Sequence, residues 1–153
     1  MKKAITKTEG ILWSIALPGF PQLLVGLWFK GTLFVLLEII INVQSNFNQA
    51  IMYSFLGETL KAASVIDYQW LMFYPCLYMF AMWDAYKIAL AEEEEYAFLP
   101  FVISAYLVTV GLMYSPRVYL FGKFIGPIFF PMMCVIPGVF IGLALRSFLL
   151  RFR

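Results

Sequence analysis

The chain contains no histidine, so it lacks the side chain that titrates near neutrality and the commonest protein ligand for zinc. No histidine-based triad or acid–base pair is available to it. A glycine-rich phosphate loop with its lysine is also absent, and the acidic run Glu92, Glu93, Glu94, Glu95 has neither the alternation nor the glycine of a calcium loop. Charge is scarce: charged residues make up 13% of the chain, against about a quarter in soluble domains. The net charge is only +2, and no basic run is interleaved with aromatics as on a nucleic-acid surface. The two cysteines, Cys76 and Cys134, lie inside apolar stretches and read as small buried hydrophobes. Enzyme activity, a metal, a cofactor and a nucleic-acid partner are therefore not expected.

What the chain has instead is apolar mass. Hydrophobic residues account for 63% of its 153 positions and aromatics for 19%. A soluble fold of this size leaves most residues in contact with water and has nowhere to hide so much apolar surface. Lipid is the expected solvent. Five apolar stretches follow, at 11–29, 32–48, 70–90, 98–115 and 128–150. Crossing a hydrocarbon core of about 30 Å takes roughly 20 mostly apolar residues, which the last three meet directly. The second meets it if its polar end, Asn42 to Asn48, reaches the far interface.

The first stretch differs. Lys2, Lys3 and Lys7 precede it as in a signal peptide, but no small-x-small cleavage site follows, and the segment reads as retained. Pro18 and Pro21 each remove a backbone donor, and Gly19 between them weakens the helix further. Two short pieces remain, Ile11 to Leu17 and Gln22 to Phe29, neither long enough to cross. Counting basic residues separates the two topologies. If all five stretches cross, six basic residues fall inside and five outside. If the first enters and returns, eight fall inside (Lys2, Lys3, Lys7, Lys30, Lys87, Arg146, Arg151, Arg153) and three outside (Lys61, Arg117, Lys123). The expected fold is thus an all-α integral membrane protein, a single polytopic domain over 1–153. It has four transmembrane helices plus a re-entrant or interfacial N-terminal helical hairpin, both termini being cytoplasmic; five transmembrane helices are the alternative. Trp28, Phe29, Tyr68, Trp70, Trp83, Tyr86, Tyr114 and Tyr119 suit interfacial anchors in that scheme.

Between the second and third stretches, Met52, Phe55, Leu56, Leu60, Ala63 and Ile66 recur at helical spacing. An amphipathic helix over 50–66 is expected, lying on the outer surface or packed against the bundle.

Several polar groups fall at membrane depth. Glu38 follows Lys30 by eight residues, roughly 12 Å along a helix. Asn42, Ser45 and Gln49 continue from it at steps of four, three and four, which aligns them on one helix face. This stripe reads either as interhelical hydrogen bonding or as a polar path for a proton, ion or small solute. Arg146 either snorkels to the headgroups or pairs with Glu38, a cheaper arrangement than two separate charges in lipid. Asp84 and Lys87 are three apart and close enough to pair. Gly138 and Gly142, four apart, suit close helix approach to a neighbour or another copy, while Pro127, Pro131 and Pro137 break or bend the same segment. The run Glu92 to Glu95 is a solvated turn or a docking loop for a basic partner.

Pro18, Gly19, Phe20, Pro21 and Gln22, then Gly26, then Lys30 and Gly31 resemble the Pro-Gly-Leu-Gly-Gln opening of a group of small bacterial membrane proteins. They are similar to the paired-transmembrane-helix domain family, whose second helix ends in an aspartate as Trp83-Asp84-Ala85-Tyr86-Lys87 does here. Pro21 stands where glycine is usual, and Leu24-Val25 replace the family's Tyr-Asn. The resemblance covers about 11–90. Its style is also that of uncharacterised membrane proteins of spore-forming bacilli, which implies a bacterial inner membrane and a link to sporulation.

The expected function is that of a non-enzymatic scaffold, assembly factor or accessory subunit, with the lipid bilayer and another membrane protein or a second copy as partners. The alternatives are a transport or channel component using Glu38 and Asn42, and a lipid-interacting or membrane-remodelling protein.

Overall fold

The computed structural model of the protein describes residues 5–90, 92 and 94–152. Lys2, Lys3, Glu93 and Arg153 lie outside the described residues.

The chain is mostly helical. Helix α1 (Lys7–Ala16) is opened by Thr6, whose hydroxyl accepts the Glu9 amide at 3.1 Å and satisfies one of the orphan donors of the first turn. It stops at Leu17, which is extended ahead of Pro18 as pre-proline sterics require. Gly19 then turns the chain at φ +97° into α2 (Phe20–Leu24), with Pro21 in the first turn where no amide donor is needed. After Gly26 the chain enters α3 (Trp28–Ser45).

Helix α1 runs beside α7 (Tyr74–Ile88) and then comes back. Gly10 lies on Ala85, the Ile15 carbonyl accepts the Tyr78 hydroxyl, and Gln22 of α2 returns to the Ala81 carbonyl at 3.1 Å. Lys7 and Lys30 therefore sit at the same end of the molecule, close to Glu94 and Asp84 respectively. That end is called the basic end below.

Two of the expected segments are divided. In place of one helix over 50–66 there are α4 (Phe47–Phe55) and α5 (Thr59–Val65), parted by Gly57 at φ +82°, a left-handed backbone that no helix continues through. The stretch 70–90 becomes α6 (Tyr68–Leu71) and α7, because Pro75 cannot donate to the turn before it and its ring crowds the carbonyl there. The 15 residues of α7 rise only about 22 Å. Helix α8 (Leu99–Tyr114), a short 3₁₀ turn (Ser115–Arg117) and a minimal hairpin of β1 (Tyr119–Leu120) on β2 (Lys123–Phe124) lead into α9 (Gly126–Arg151). Contrary to the expected break, α9 continues as a helix through Pro131 and Pro137; neighbouring helices make such missing donors tolerable. Among the described residues, three helices are long and apolar enough to cross a membrane: Trp28–Ser45, Leu99–Arg117 and Gly126–Arg151.

The tightest packing is between α8 and α9. A Cβ on Gly142 would stand 2.4 Å from the Pro100 Cα, one on Gly138 2.6 Å from the Ser104 Cα, and one on Gly111 2.5 Å from the Cys134 sulfur. At the opposite end from Lys7, α4, α5 and α6 close over this pair, and Ala50, Ala62, Ile66, Leu71, Leu112 and Ile128 form the buried core there. Cys134 is part-buried, whereas Cys76 is exposed rather than a core residue, since α7 turns that position away from its neighbours.

Candidate functional site

Three polar clusters are built along α7 and its neighbours. At the basic end, the loop between α7 and α8 carries Glu94 inward rather than into solvent. Its carboxylate accepts from Lys7 Nζ, from Arg146 Nη2 at 3.0 Å and from the Tyr86 hydroxyl at 3.1 Å. Arg146 also donates from Nε to the Glu95 carbonyl at 3.0 Å. The Lys7 ammonium, and after it the Arg146 guanidinium, hold the Glu94 carboxyl down at about 2. Glu94 in turn raises the pKa of Lys7 above its ordinary value. One carboxylate thus ties the start of α1 to the end of α9. The expected pair between Glu38 and Arg146 does not form, because Glu94 and the Glu95 carbonyl meet the guanidinium first.

The second cluster gathers the residues that carried the family resemblance. Asp84 accepts from Lys30 Nζ at 2.8 Å through one oxygen and from the fully buried Gln22 amide at 3.0 Å through the other. The same amide nitrogen reaches the Ala81 carbonyl. Gly19 and Gly31 let α2 cross α3: a Cβ on Gly19 would meet the Gly31 carbonyl at 2.5 Å, and one on Gly31 the Leu23 side chain at 2.6 Å. Pro18 and Pro21 are buried at the turn, and Gly26 takes a positive φ of 81° in open space. Asp84 pairs with Lys30 and Gln22 in place of the expected Lys87, because the returning hairpin brings those two donors to its inner side.

The third cluster is sparse. Glu38 on α3 is half-buried and accepts from the Tyr74 hydroxyl at 3.4 Å. The rest of its stripe disperses along the helix. Ser45 returns to the Ile41 carbonyl of its own helix at 2.6 Å, Asn42 engages Asn48 at the α3–α4 turn, and Gln49 reaches Tyr53 at 3.5 Å.

Between α1, α4, α6, α7, α8 and α9 lies an open groove of about 740 Å³. Tyr74, Tyr78, Met82 and Tyr86 line it from α7, and Ile128, Met132, Val135, Val139, Leu143 and Arg146 from α9. Apart from tyrosine hydroxyls, Ser104 and Arg146 are the only polar side chains on its walls among the described residues. Ser104 is fully buried against Gly138, and its hydroxyl has no hydrogen-bond partner. Glu38, Asn42, Ser45 and Gln49 do not line the groove. Its walls are apolar along the shaft and cationic only at the basic end.

No family model, curated protein or solved structure matches this chain. The site is therefore read from its own chemistry.

Sequence reasoning passed over Tyr74, Tyr78 and Lys7. The signal was present in part: Tyr74, Tyr78, Met82 and Tyr86 recur every four residues, a helical stripe of amphipathic side chains. Nothing in the sequence marks Lys7 as a partner of Glu94; the return of α1 onto that loop brings them together.

Proposed function

We propose that this protein is a non-enzymatic, multi-pass protein of the bacterial cytoplasmic membrane that receives the apolar part of a lipid in the groove walled by α1, α4 and α6 to α9. The observation that carries this reading is the groove itself. It is open and lined almost wholly by apolar side chains, and in the proposed topology its shaft lies at the depth of the acyl chains. Pockets of about 300–1,000 Å³ with a few polar groups at one end suit small amphiphiles.

Membrane residence is supported by the three long apolar helices and by the apolar side chains they leave exposed, such as Phe29, Val43 and Phe140. In the proposed topology α3, α6–α7, α8 and α9 cross, with α6 and α7 acting as one broken span. The α1–α2 hairpin dips in from the basic end and returns. By the positive-inside rule that end is cytoplasmic.

The geometry favours this reading over the two others raised by the sequence. A scaffold role drew on Gly138, Gly142 and the acidic loop, yet the glycines are used against α8 and Glu94 against Lys7 and Arg146. A transport role drew on the stripe from Glu38, which does not reach the groove.

Substituting Val135→Trp fills the groove from α9 at mid-length. The purified variant is expected to lose co-purifying lipid that the parent retains, as read by native mass spectrometry, while keeping its elution volume. Equal lipid retention by both would overturn the proposal.

A further inference from the structure

Resting on the topology proposed above and not on the groove, we infer that the β1–β2 hairpin is an interfacial anchor. The Phe121 ring dips into the outer leaflet, and Arg117 and Lys123 meet the phosphates of anionic lipid headgroups. The turn runs against its own geometry. Leu120 pairs with Lys123, which leaves Phe121 and Gly122 as a two-residue loop, and both have a positive φ, of 51° and 75°. That is the pattern of a type I′ turn, whose first central position goes to asparagine, aspartate or glycine. A bulky side chain in this backbone region is an outlier. Phe121 takes the position with its side chain wholly in the open, at 103% exposure. Asparagine would close the same turn with less strain and without an apolar surface. The ring covers nothing within the chain, so what it contacts lies outside it.

Charge indicates what that contact is. No acidic residue occurs between Tyr114 and Gly126. Arg117 and Lys123 flank the tip, both exposed, and neither forms an ion pair among the described residues. The acidic side chains of the neighbouring α5 and α6 are already engaged: Glu58 pairs with Lys61 at 3.1 Å, and Asp67 accepts from the Gln69 and Trp70 amides. Two unpaired cations beside an exposed ring suit anionic headgroups over an acyl boundary. A specific protein partner needs about 800 Å² of surface on each side, more than a two-residue tip offers, whereas lipid accepts a single ring. The hairpin is also held so that the tip alone projects. Its base is closed by the Ile125 amide on the Val118 carbonyl at 3.4 Å, and the Thr59 hydroxyl of α5 donates to the Phe124 carbonyl at 3.2 Å. The backbone of the turn stays among the hydrated headgroups while the ring reaches below them.

The test attaches a nitroxide to Phe121→Cys in the full chain, with Cys76→Ala and Cys134→Ala, in nanodiscs whose two faces are both open to solvent. Power-saturation electron paramagnetic resonance compares collisions with oxygen and with a water-soluble nickel chelate, which gives the depth of the label. In discs containing phosphatidylglycerol the label is expected about 5–10 Å below the headgroup surface, and it should move outward in phosphatidylcholine alone. Arg117→Gln combined with Lys123→Gln should keep it at the shallower depth in both lipids. Positions 117, 121 and 123 are exposed, and an unchanged elution volume separates a change of depth from misfolding. A label that the nickel chelate reaches as freely as it reaches an unfolded chain puts the tip in water, which overturns the anchor and leaves Phe121 to a protein partner. Equal depth in the two lipids, or no effect of the double variant, overturns the headgroup contact. The groove is read separately by Val135→Trp: if that variant keeps its lipid while the label lies deep, the groove falls and the anchor stands.

Discussion

At the scale of single residues, the structure separates side chains that look alike in the sequence. Asp84 and Lys30 form an ion pair, but the lysine side chain is 46% exposed while the aspartate is 14% exposed. Solvent screens such a pair to well under about 1 kcal/mol. The hydrogen bond from buried Gln22 is the costlier one to lose: Ala81 still holds one N–H of that amide, but the other is left buried and unpaired, at a cost of about 1–3 kcal/mol. Asp84→Ala is therefore expected to lower stability by more than Lys30→Ala, by a margin of about 1 kcal/mol. Chemical unfolding in micelles checks the order, and equal losses would assign the stability to the ion pair instead. The glycines of α9 give a second comparison. Gly142→Ala sets a methyl group 2.4 Å from the Pro100 Cα, backbone that cannot rotate away, and overpacking of this kind costs about 1–3 kcal/mol. Gly142→Ala should accordingly reduce the melting temperature clearly, and unchanged melting would mean that α8 and α9 are farther apart than described. These roles were half legible in the chain. The spacing of Gly138 and Gly142 marks a contact face, but helical periodicity cannot say whether the opposite helix is α8 or a second molecule.

At the scale of elements, proline and glycine account for most of the architecture. Pro18, Gly19 and Pro21 make α1 and α2 a hairpin, Gly57 parts α4 from α5, and Pro75 parts α6 from α7. The first of these breaks is plain from composition. The other two were obscured by apolar periodicity running through them, since Gly57 and Pro75 interrupt hydrogen bonding without interrupting the hydrophobic pattern. The hairpin is tethered at its open end by Glu94, and that tether has a pH dependence with a definite sign. The folded carboxyl, at about 2, lies below its ordinary 4.5, so its contribution is complete above about 4.5 and is lost as the pH falls through 2. Lys7 is raised above its ordinary 10.5, so its part is complete below 10.5 and is lost only as the pH rises beyond the raised value. A disulfide reporter between cysteines placed at Thr8 and Glu92 should keep its rate of formation, corrected for thiolate content, from pH 8 to pH 5. A Glu94→Gln background should slow it across the whole range. If the rate already falls at pH 5 in the parent, Glu94 is not the tether.

At the scale of the whole molecule, both ends of the described chain meet at one end of the bundle, with Lys7 and Arg146 on the same carboxylate. The β1–β2 hairpin lies at the other, where Thr59 of α5 donates to the Phe124 carbonyl at 3.2 Å. In the proposed topology, cysteines introduced at Thr8 and Ser147 are labelled from the cytoplasmic side and one at Gly122 from the opposite side. Intact right-side-out cells treated with an impermeant maleimide are therefore expected to modify the Gly122 variant alone. Labelling of Thr8 together with Gly122 would mean that the leading segment crosses, and the depth of each polar group in α7 would change with it.

The helical character, the apolar stretches long enough to cross a membrane, the break at Pro18 to Pro21 and the absence of histidine were all legible in the chain, because each follows from composition or from a period only a few residues long. Tertiary structure alone decided the partners of the ionised groups. Glu94 sits in an acidic run that by itself reads as a solvated turn, and Arg146 lies 52 residues away from it; no local rule joins them. The groove has the same origin: its walls come from six helices spread along the sequence, and a space between helices is a property of how they are placed, not of what any one of them contains.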